Sequence, residues 1–241
     1  MIQKLISQTK RFIYAIPHAG VRFYGLVEFC RGKRHHQDRD YWNDSLAGWA
    51  SSYLGGTLSI DLRNSVTVLL ARQVAPEARS VLDLGCAGAT LARHLGPEVD
   101  FYCGVDISDV AISKGRENLA ESNRSRAVTH LLEVSTVQDY QPSCRFDVIV
   151  FNEVMYYLTL RQIKDSIRRY AGFLSPGGVI LVSLKDHEMC RCVQAVILED
   201  LRFEHAVLYQ EQPARRGWKT VQNRESPAFL IQAFRPREGG K

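Results

Sequence analysis

Val81-Leu-Asp-Leu-Gly-Cys-Ala-Gly-Ala-Thr-Leu-Ala-Arg-His-Leu95 is the stretch on which the fold turns. An apolar run of strand character reaches Asp83, a turn of small residues follows, and Leu91 and Leu95 then recur at helical spacing. Small side chains let the backbone approach a ligand closely, and a helix start presents unpaired N–H groups. The next apolar run, Phe101-Tyr-Cys-Gly-Val105, leads to Asp106, 21 residues after Gly85. An acidic side chain at an offset of about 20 residues reaches ribose hydroxyls in nucleotide-binding βαβ units.

Working outward, the alternation continues. Strand-length runs at 80–84, 101–105, 146–151 and 179–184 are rich in Val, Ile or aromatic residues. Between them, Val110, Ala111 and Lys114, then Ile163, Ile167, Tyr170 and Leu174, carry helical spacing. Alternating strand and helix predicts a parallel sheet covered on both faces. Ser175-Pro-Gly-Gly178 predicts a tight turn between a helix ending near Leu174 and the strand from Val179. Further on, 203–210 and 228–234 read as two strands with turn signals between them, a hairpin-like pair at one sheet edge, and 235–241 as a frayed tail. A helix over 62–74 leads into the first strand.

The chain has 241 residues, 45% hydrophobic and 24% charged, enough for one sizeable globular domain with a small appendage and too apolar for a disordered chain. No apolar run is long enough to span a bilayer, and the N-terminus lacks the apolar core of a secretory signal. Six cysteines show neither zinc spacing nor a CxxC pair, and read as reduced thiols of a cytoplasmic protein. A net charge of +5 permits an anionic partner without demanding one.

The segments 80–184 resemble the class I S-adenosylmethionine (SAM)-dependent methyltransferases, whose first motif runs approximately Asp/Glu-x-Gly-x-Gly-x-Gly. Here it stands as Asp83-Leu-Gly85-Cys-Ala87-Gly-Ala89, with alanines in place of the second and third glycines and Gly88 between them. Gly104-Val-Asp106-Ile-Ser108 resembles the family's acidic ribose-binding strand end. Phe146-Asp-Val-Ile-Val-Phe-Asn-Glu153-Val-Met-Tyr-Tyr-Leu158 resembles its fourth strand and the loop facing cofactor and substrate, and Leu174-Ser-Pro-Gly-Gly178 the turn before its fifth. The resemblance implies a doubly wound α/β fold. Its sheet is seven-stranded and mostly parallel, with an antiparallel C-terminal edge strand. An N-terminal helical cap over 1–60 precedes a SAM-binding domain over 61–241. It implies SAM as cofactor, S-adenosylhomocysteine (SAH) as product, and cofactor contacts at Asp83, Gly85, Cys86, Ala87, Asp106, Ile107 and Asn152. In the family a residue after the third strand lies beside the adenine; many members have Asp where Ser135 falls, so Ser135, Thr136 or a backbone group takes that contact here.

An NAD site shares the small-residue turn and the acidic residue. Asp83, two residues before Gly85, would face the NAD pyrophosphate unfavourably and suits the amine of SAM better. Methyl transfer is an in-line displacement at an activated sulfonium, so the protein's tasks are alignment and exclusion of water, with a general base where the acceptor needs one. Candidates follow the fourth and fifth strands, where ligands bind in such sheets: Glu153, Tyr156, Tyr157, Asp186 and His187, with Glu153, Tyr156 and His187 as the catalytic set. Glu153 reads equally as a structural carboxylate, and the tyrosines as a helix start. Asp186-His-Glu188 raises metal binding, but three adjacent polar residues rarely face one ion, and no metal is expected.

Tyr41-Trp-Asn-Asp44 and 49–57 suit a mobile lid or a packing cluster of Trp42, Trp49 and Tyr53, and family relatives often cover the methionine end of SAM with such a helix, which would bring Arg63 and Asn64 near cofactor or substrate. The basic, apolar-faced 1–16 segment packs on its own domain or a second subunit, lies on an anionic membrane as a peripheral contact, or, less favoured, contacts nucleic acid. Monomer and homodimer both stay open. Asn152-Glu-Val-Met lacks the Pro-Pro-aromatic motif of DNA amino-methylases, which favours a small-molecule acceptor, such as a sugar or lipid-linked intermediate, methylated on oxygen or nitrogen. An RNA methyltransferase, which would show steeply salt-dependent RNA binding, and a SAM-binding pseudoenzyme are the rivals.

Overall fold

The computed structural model describes residues 38–48, 54–122, 128–185, 189–210 and 228–237. Helices α1 (Arg39–Ala47) and α2 (Leu58–Val74) precede an alternating series. It runs β1 (Ser80–Leu84), a 3-10 helix (Thr90–His94), β2 (Phe101–Asp106), α3 (Asp109–Ser122), β3 (Thr129–Val134) and β4 (Phe146–Asn152). A short 3-10 turn (Met155–Tyr157), α4 (Leu160–Ala171), β5 (Leu174–Lys185), α5 (Met189–Asp200), β6 (Leu201–Gln210) and β7 (Ala228–Pro236) complete it.

The strands form one sheet in the order β3-β2-β1-β4-β5-β7-β6. The first five are parallel, and β7 runs antiparallel to both β5 and β6. The expected α/β architecture is therefore present. The C-terminal strand sits one place in from the edge, with β6 outermost. Strand order reverses at β1, between β2 and β4, and the crevice in which open α/β sheets bind ligands lies outside the carboxyl ends of the strands at such a point.

Period-two alternation sorts side chains onto two faces. Leu82, Leu84, Ile149 and Phe151 pack with Ile163, Ile167 and Tyr170 of α4. Val81, Val148, Val150 and Leu181 pack on the other face with Val68 and Leu70 of α2 and Leu91. Both faces are covered, so these strands read as nearly continuous apolar runs. By the same parity Asp83 lies on the α2 face, in register with Val81. Helix α4 starts at a capping box: Thr159 accepts from the Gln162 amide while the Gln162 side chain accepts from the Thr159 amide.

Four details differ from expectation. The segment after β1 folds as a five-residue 3-10 helix rather than an α-helix. The stretch 175–178 lies within β5 as a bulge: Phe146 pairs with Leu174 and Val148 with Val179, so four residues stand opposite Asp147, and Gly177 takes φ +77° there. Helix α5 was not picked out by the periodicity. Arg235 and Pro236, expected in a frayed tail, extend β7, and the Arg235 guanidinium donates to the carbonyls of Val74 and Gly177. The amphipathic 1–16 segment, Trp49, Tyr53 and the turn signals between β6 and β7 lie outside the described residues. No helix among the described residues is long and apolar enough to cross a membrane.

Candidate functional site

The loop after β1 is wound by its own backbone. The Gly85 and Cys86 amides both donate to the Val105 carbonyl, at 2.8 and 3.1 Å, and the Ala89 amide donates to the Cys86 carbonyl at 2.8 Å. This forces positive φ at three alternate positions: Gly85 at 79°, Ala87 at 45° and Ala89 at 54°. They are the glycine positions of the family motif. A Cβ on Gly85 would lie 2.9 Å from the Val154 Cβ, so that position also lacks room. At Ala87 and Ala89 the methyl fits and the backbone carries the strain, about 1–2 kcal/mol per L-residue in this region. Ala87→Gly should therefore raise stability by about 0.5–1 kcal/mol after allowing for the freer unfolded chain. Thermal denaturation checks it; a lower Tm would mean that the Ala87 methyl, which packs beside Leu46 and Leu54, matters more.

Gly88 serves a different contact. A Cβ there would fall 2.1 Å from the Leu54 carbonyl oxygen. The Asn118 side-chain amide donates to the carbonyls of both Leu54 (2.7 Å) and Gly88 (2.8 Å), tying the chain before α2 onto the loop. Cys86 turns its thiol into the core, where burial pushes its pKa up, so it shapes the loop without facing the crevice.

Asp106 ends β2 half-buried. Its Oδ2 accepts from the Ala87 amide (2.9 Å) and its Oδ1 from the Ser108 amide (3.0 Å). Burial raises its pKa, opposed by the Ser108, Ala87 and Ile107 amides. The half-buried Ile107 follows directly. The Ser135 amide donates to the Asp106 carbonyl at 2.9 Å, which draws the loop after β3 beside β2. The Thr136 hydroxyl is engaged in a local turn, donating to Asp139 at 2.7 Å and accepting from its amide. The Ser135 hydroxyl makes only a long 3.3 Å bond to the Thr136 carbonyl, and is the less committed of the two.

A second polar group lies across β1, β4, β5 and α2. Asp83 is fully buried; its Oδ2 accepts from the Tyr102 hydroxyl at 2.9 Å, while Oδ1 has no hydrogen-bond partner. Burial pushes its pKa up to about 7 against the lowering influence of Tyr102, the nearby Asn152 side chain and Arg63. The buried Asn152 Oδ1 also lacks a partner. Glu153, just beyond β4, holds φ 57°, which is uncommon for a non-glycine residue. Its amide donates to the Ser183 carbonyl (3.0 Å), its Oε1 accepts from the Ser183 hydroxyl (3.1 Å), and its Oε2 faces Arg63 Nη1 at 3.8 Å. The Arg63 guanidinium lies 5.5 Å from the centre of the Phe229 ring, and its Nε is buried without a partner. Asn64 points elsewhere, donating to the Thr90 hydroxyl at 2.9 Å.

Helix α1 crosses this end of the sheet, from the 3-10 turn after β4 to the start of α3. Trp42 meets Tyr157 edge-on at 4.9 Å between ring centres and contacts the Leu46–Leu54–Ala111 cluster beside Ala87. Of the expected catalytic set, Glu153 lies directly after β4, beside Ser183 and Arg63. Tyr156 lies in the 3-10 turn, its side chain outside the described residues, and His187 lies outside them with Asp186 and Glu188. Sequence reasoning missed Tyr102 and Ser183. A lone polar residue in the apolar run Val179-Ile-Leu-Val-Ser-Leu184 was the available signal for Ser183.

Residues 82–180 match a family described as a methyltransferase domain. The chain is 26% identical over 132 residues to a dTDP-3-amino-3,4,6-trideoxy-alpha-D-glucopyranose N,N-dimethyltransferase of Streptomyces venezuelae, covering 54% of this chain and 52% of that protein. It is 27% identical over 148 residues to nodulation protein S of Rhizobium tropici, covering 61% and 60%. The chain thus spans about half the length of these two relatives. The crystal structure of the N-methyltransferase NodS from Bradyrhizobium japonicum WM9 in complex with SAH shares the fold, with a TM-score of 0.60 at 20% identity over 85% of this chain and 96% of that one.

Proposed function

We propose that the chain, whose residues 82–180 match a methyltransferase domain, is a class I SAM-dependent methyltransferase that transfers a methyl group from SAM to an oxygen or nitrogen of a small-molecule acceptor, with a ring amine as the favoured acceptor. The observation that carries this reading is the pair of carboxylates flanking the β1 loop. Asp106 at the β2 end suits the ribose hydroxyls, each of its oxygens keeping a further lone pair beside its backbone bond. The orphaned acceptors Asp83 Oδ1 and Asn152 Oδ1 suit the ammonium of the methionine end. These residues fit SAM, which when bound supplies a methyl group on a sulfonium.

The rest falls to the chain. Gly85, Ala87 and Ile107 shape the cradle, Ser135 stands nearest for the adenine amino group, and α1 with Trp42 keeps water out. Glu153 docks the acceptor and takes its proton, its carboxylate oriented by Ser183 and Arg63. An amine arrives as a cation, which a half-buried carboxylate attracts. The two N-methyltransferase relatives support nitrogen over oxygen.

Calorimetry tests the cofactor site: Asp106→Ala should weaken SAM binding by about tenfold or more, the loss of charge-assisted hydrogen bonds of about 1.5–3 kcal/mol. Unchanged affinity sinks the assignment. An acceptor screen reporting SAH release, run with amino sugars and their hydroxyl counterparts, tests the reaction; SAM binding with no turnover on any acceptor would favour a pseudoenzyme.

A further inference from the structure

Helix α1 does more than lie over the crevice. Its Asn43 side chain is clasped to the segment that follows Asp106. Asn43 Oδ1 accepts from the Ser108 hydroxyl at 2.7 Å and from the Val110 amide at 3.5 Å, while its Nδ2 donates to Asp109 Oδ1. That last bond holds the Asp109 carboxyl below its usual range. Ser108 is fully buried and caps α3, its hydroxyl accepting from the Ala111 amide at 3.1 Å. The Ser108 amide is in turn the donor to Asp106 Oδ1 at 3.0 Å. A chain of contacts therefore runs from a cap side chain, through one buried serine, to the carboxylate at the end of β2.

We propose that Asn43 is a positioning residue for Asp106: by clasping Ser108 and Asp109 it fixes the turn 106–109, and so the orientation in which the Asp106 carboxylate meets the ribose hydroxyls. This rests on the cofactor reading above. Among the described residues Asp106 has no side-chain hydrogen-bond partner; backbone amides on both sides of the loop hold it, and one of those amides belongs to the residue that Asn43 grips. Losing Asn43 frees the Ser108 hydroxyl and unties α1 from Asp109. The turn then relaxes, and the carboxylate must be re-ordered at each binding event. The neighbouring Trp42 packs on Tyr157 at the far side of the crevice, so α1 can remain docked when Asn43 is shortened, and the effect of the substitution stays local to Asp106.

The experiment is a double-mutant cycle on the full chain, read as SAH affinity by calorimetry, with Asn43→Ala, Asp106→Ala and the double variant. A parallel titration uses an SAH analogue lacking both ribose hydroxyls. Asn43→Ala should weaken SAH about five- to twentyfold, should cost less than about twofold once Asp106 is already alanine, and should leave affinity for the analogue unchanged. A loss of equal size in both backgrounds, or for SAH and the analogue alike, shows a general packing role and overturns the proposal. So does wild-type affinity in Asn43→Ala. If double-variant binding is too weak to titrate, the analogue arm decides alone. A wild-type chain that binds no SAH would instead overturn the cofactor reading, which keeps the two failures apart.

Discussion

Asp83→Asn should melt higher than the wild-type protein at pH 8 and bind SAM much more weakly. The carboxyl is fully buried with one oxygen unpartnered, and its pKa stands near 7 instead of 3.8. At about 1.36 kcal/mol per pKa unit, holding it ionised in the ligand-free fold costs up to about 4 kcal/mol. The sign follows from proton counting. Between the unfolded value near 4 and the folded value near 7 the native state binds more protons, so the wild type loses stability as pH rises through that window and levels off above it. Asparagine removes the charge. The Tyr102 hydroxyl can still donate to its carbonyl, but a buried amide N–H without a partner takes back about 1–3 kcal/mol. The net gain above pH 7 is then about 1–3 kcal/mol, shrinking or reversing towards pH 4. Melting curves from pH 4.5 to 8.5 on both proteins check this; a Tm difference that does not change with pH sinks it. The cofactor's ammonium is what the ionised carboxylate awaits. SAM binding near pH 6 should accordingly expel close to one proton from the wild type and none from Asp83→Asn, a difference visible by calorimetry in buffers of unequal ionisation enthalpy. The cost in the empty protein is the counterpart of affinity in the loaded one.

That carboxylate also shows where the sequence was legible. Asp83 lies in an apolar strand immediately before a run of small residues, and a charged side chain in such a setting has few uses other than a ligand. Asp106 was legible for a similar reason, since its distance from Gly85 fixes it at the next strand end. The strands were readable because both faces are buried and their apolar runs are unbroken. The 3-10 helix after β1 was not. Leu91 and Leu95 stand four apart, the spacing of an α-helix, but Leu95 lies beyond the 3-10 helix in extended backbone, and a left-handed Ala89 precedes its start. The bulge at 175–178 was read as a turn because Pro-Gly-Gly signals a break in the chain without saying that the strand has already begun on its other side. Contacts that join distant residues left no local pattern at all. Arg63 with Glu153, Asn43 with Ser108, and Arg235 with the Val74 carbonyl each couple a side chain to a partner that only the sheet order brings near.

Glu153→Gln should lower kcat by about 10²–10⁴ on an amine acceptor while leaving SAM affinity within about threefold. Among the described residues this carboxylate is the acidic group bonded to Ser183, and the backbone that presents it is left-handed. A glycine would adopt φ 57° freely, whereas glutamate there costs about 1–2 kcal/mol. The fold tolerates this because the Glu153 amide is bonded to the Ser183 carbonyl of β5, which holds the side chain against the Ser183 hydroxyl and Arg63. Glutamine keeps the shape, the strain and the Ser183 bond, and removes only the ability to take a proton and to attract a cation. Glu153→Gly separates strain from chemistry. It should lose as much activity as Glu153→Gln yet be the more stable of the two by up to about 1 kcal/mol, because the left-handed conformation no longer costs it anything. Arg63 bears on the outcome. Its guanidinium at 3.8 Å is held on the Phe229 ring, and without the Glu153 charge it lacks its one ion pair among the described residues. A Glu153→Gln variant that loses SAM affinity tenfold would place the Glu153–Arg63 pair at the methionine end of the cofactor and remove the base from this position. One that turns over the amine at the wild-type rate would show that the acceptor reaches the site already deprotonated.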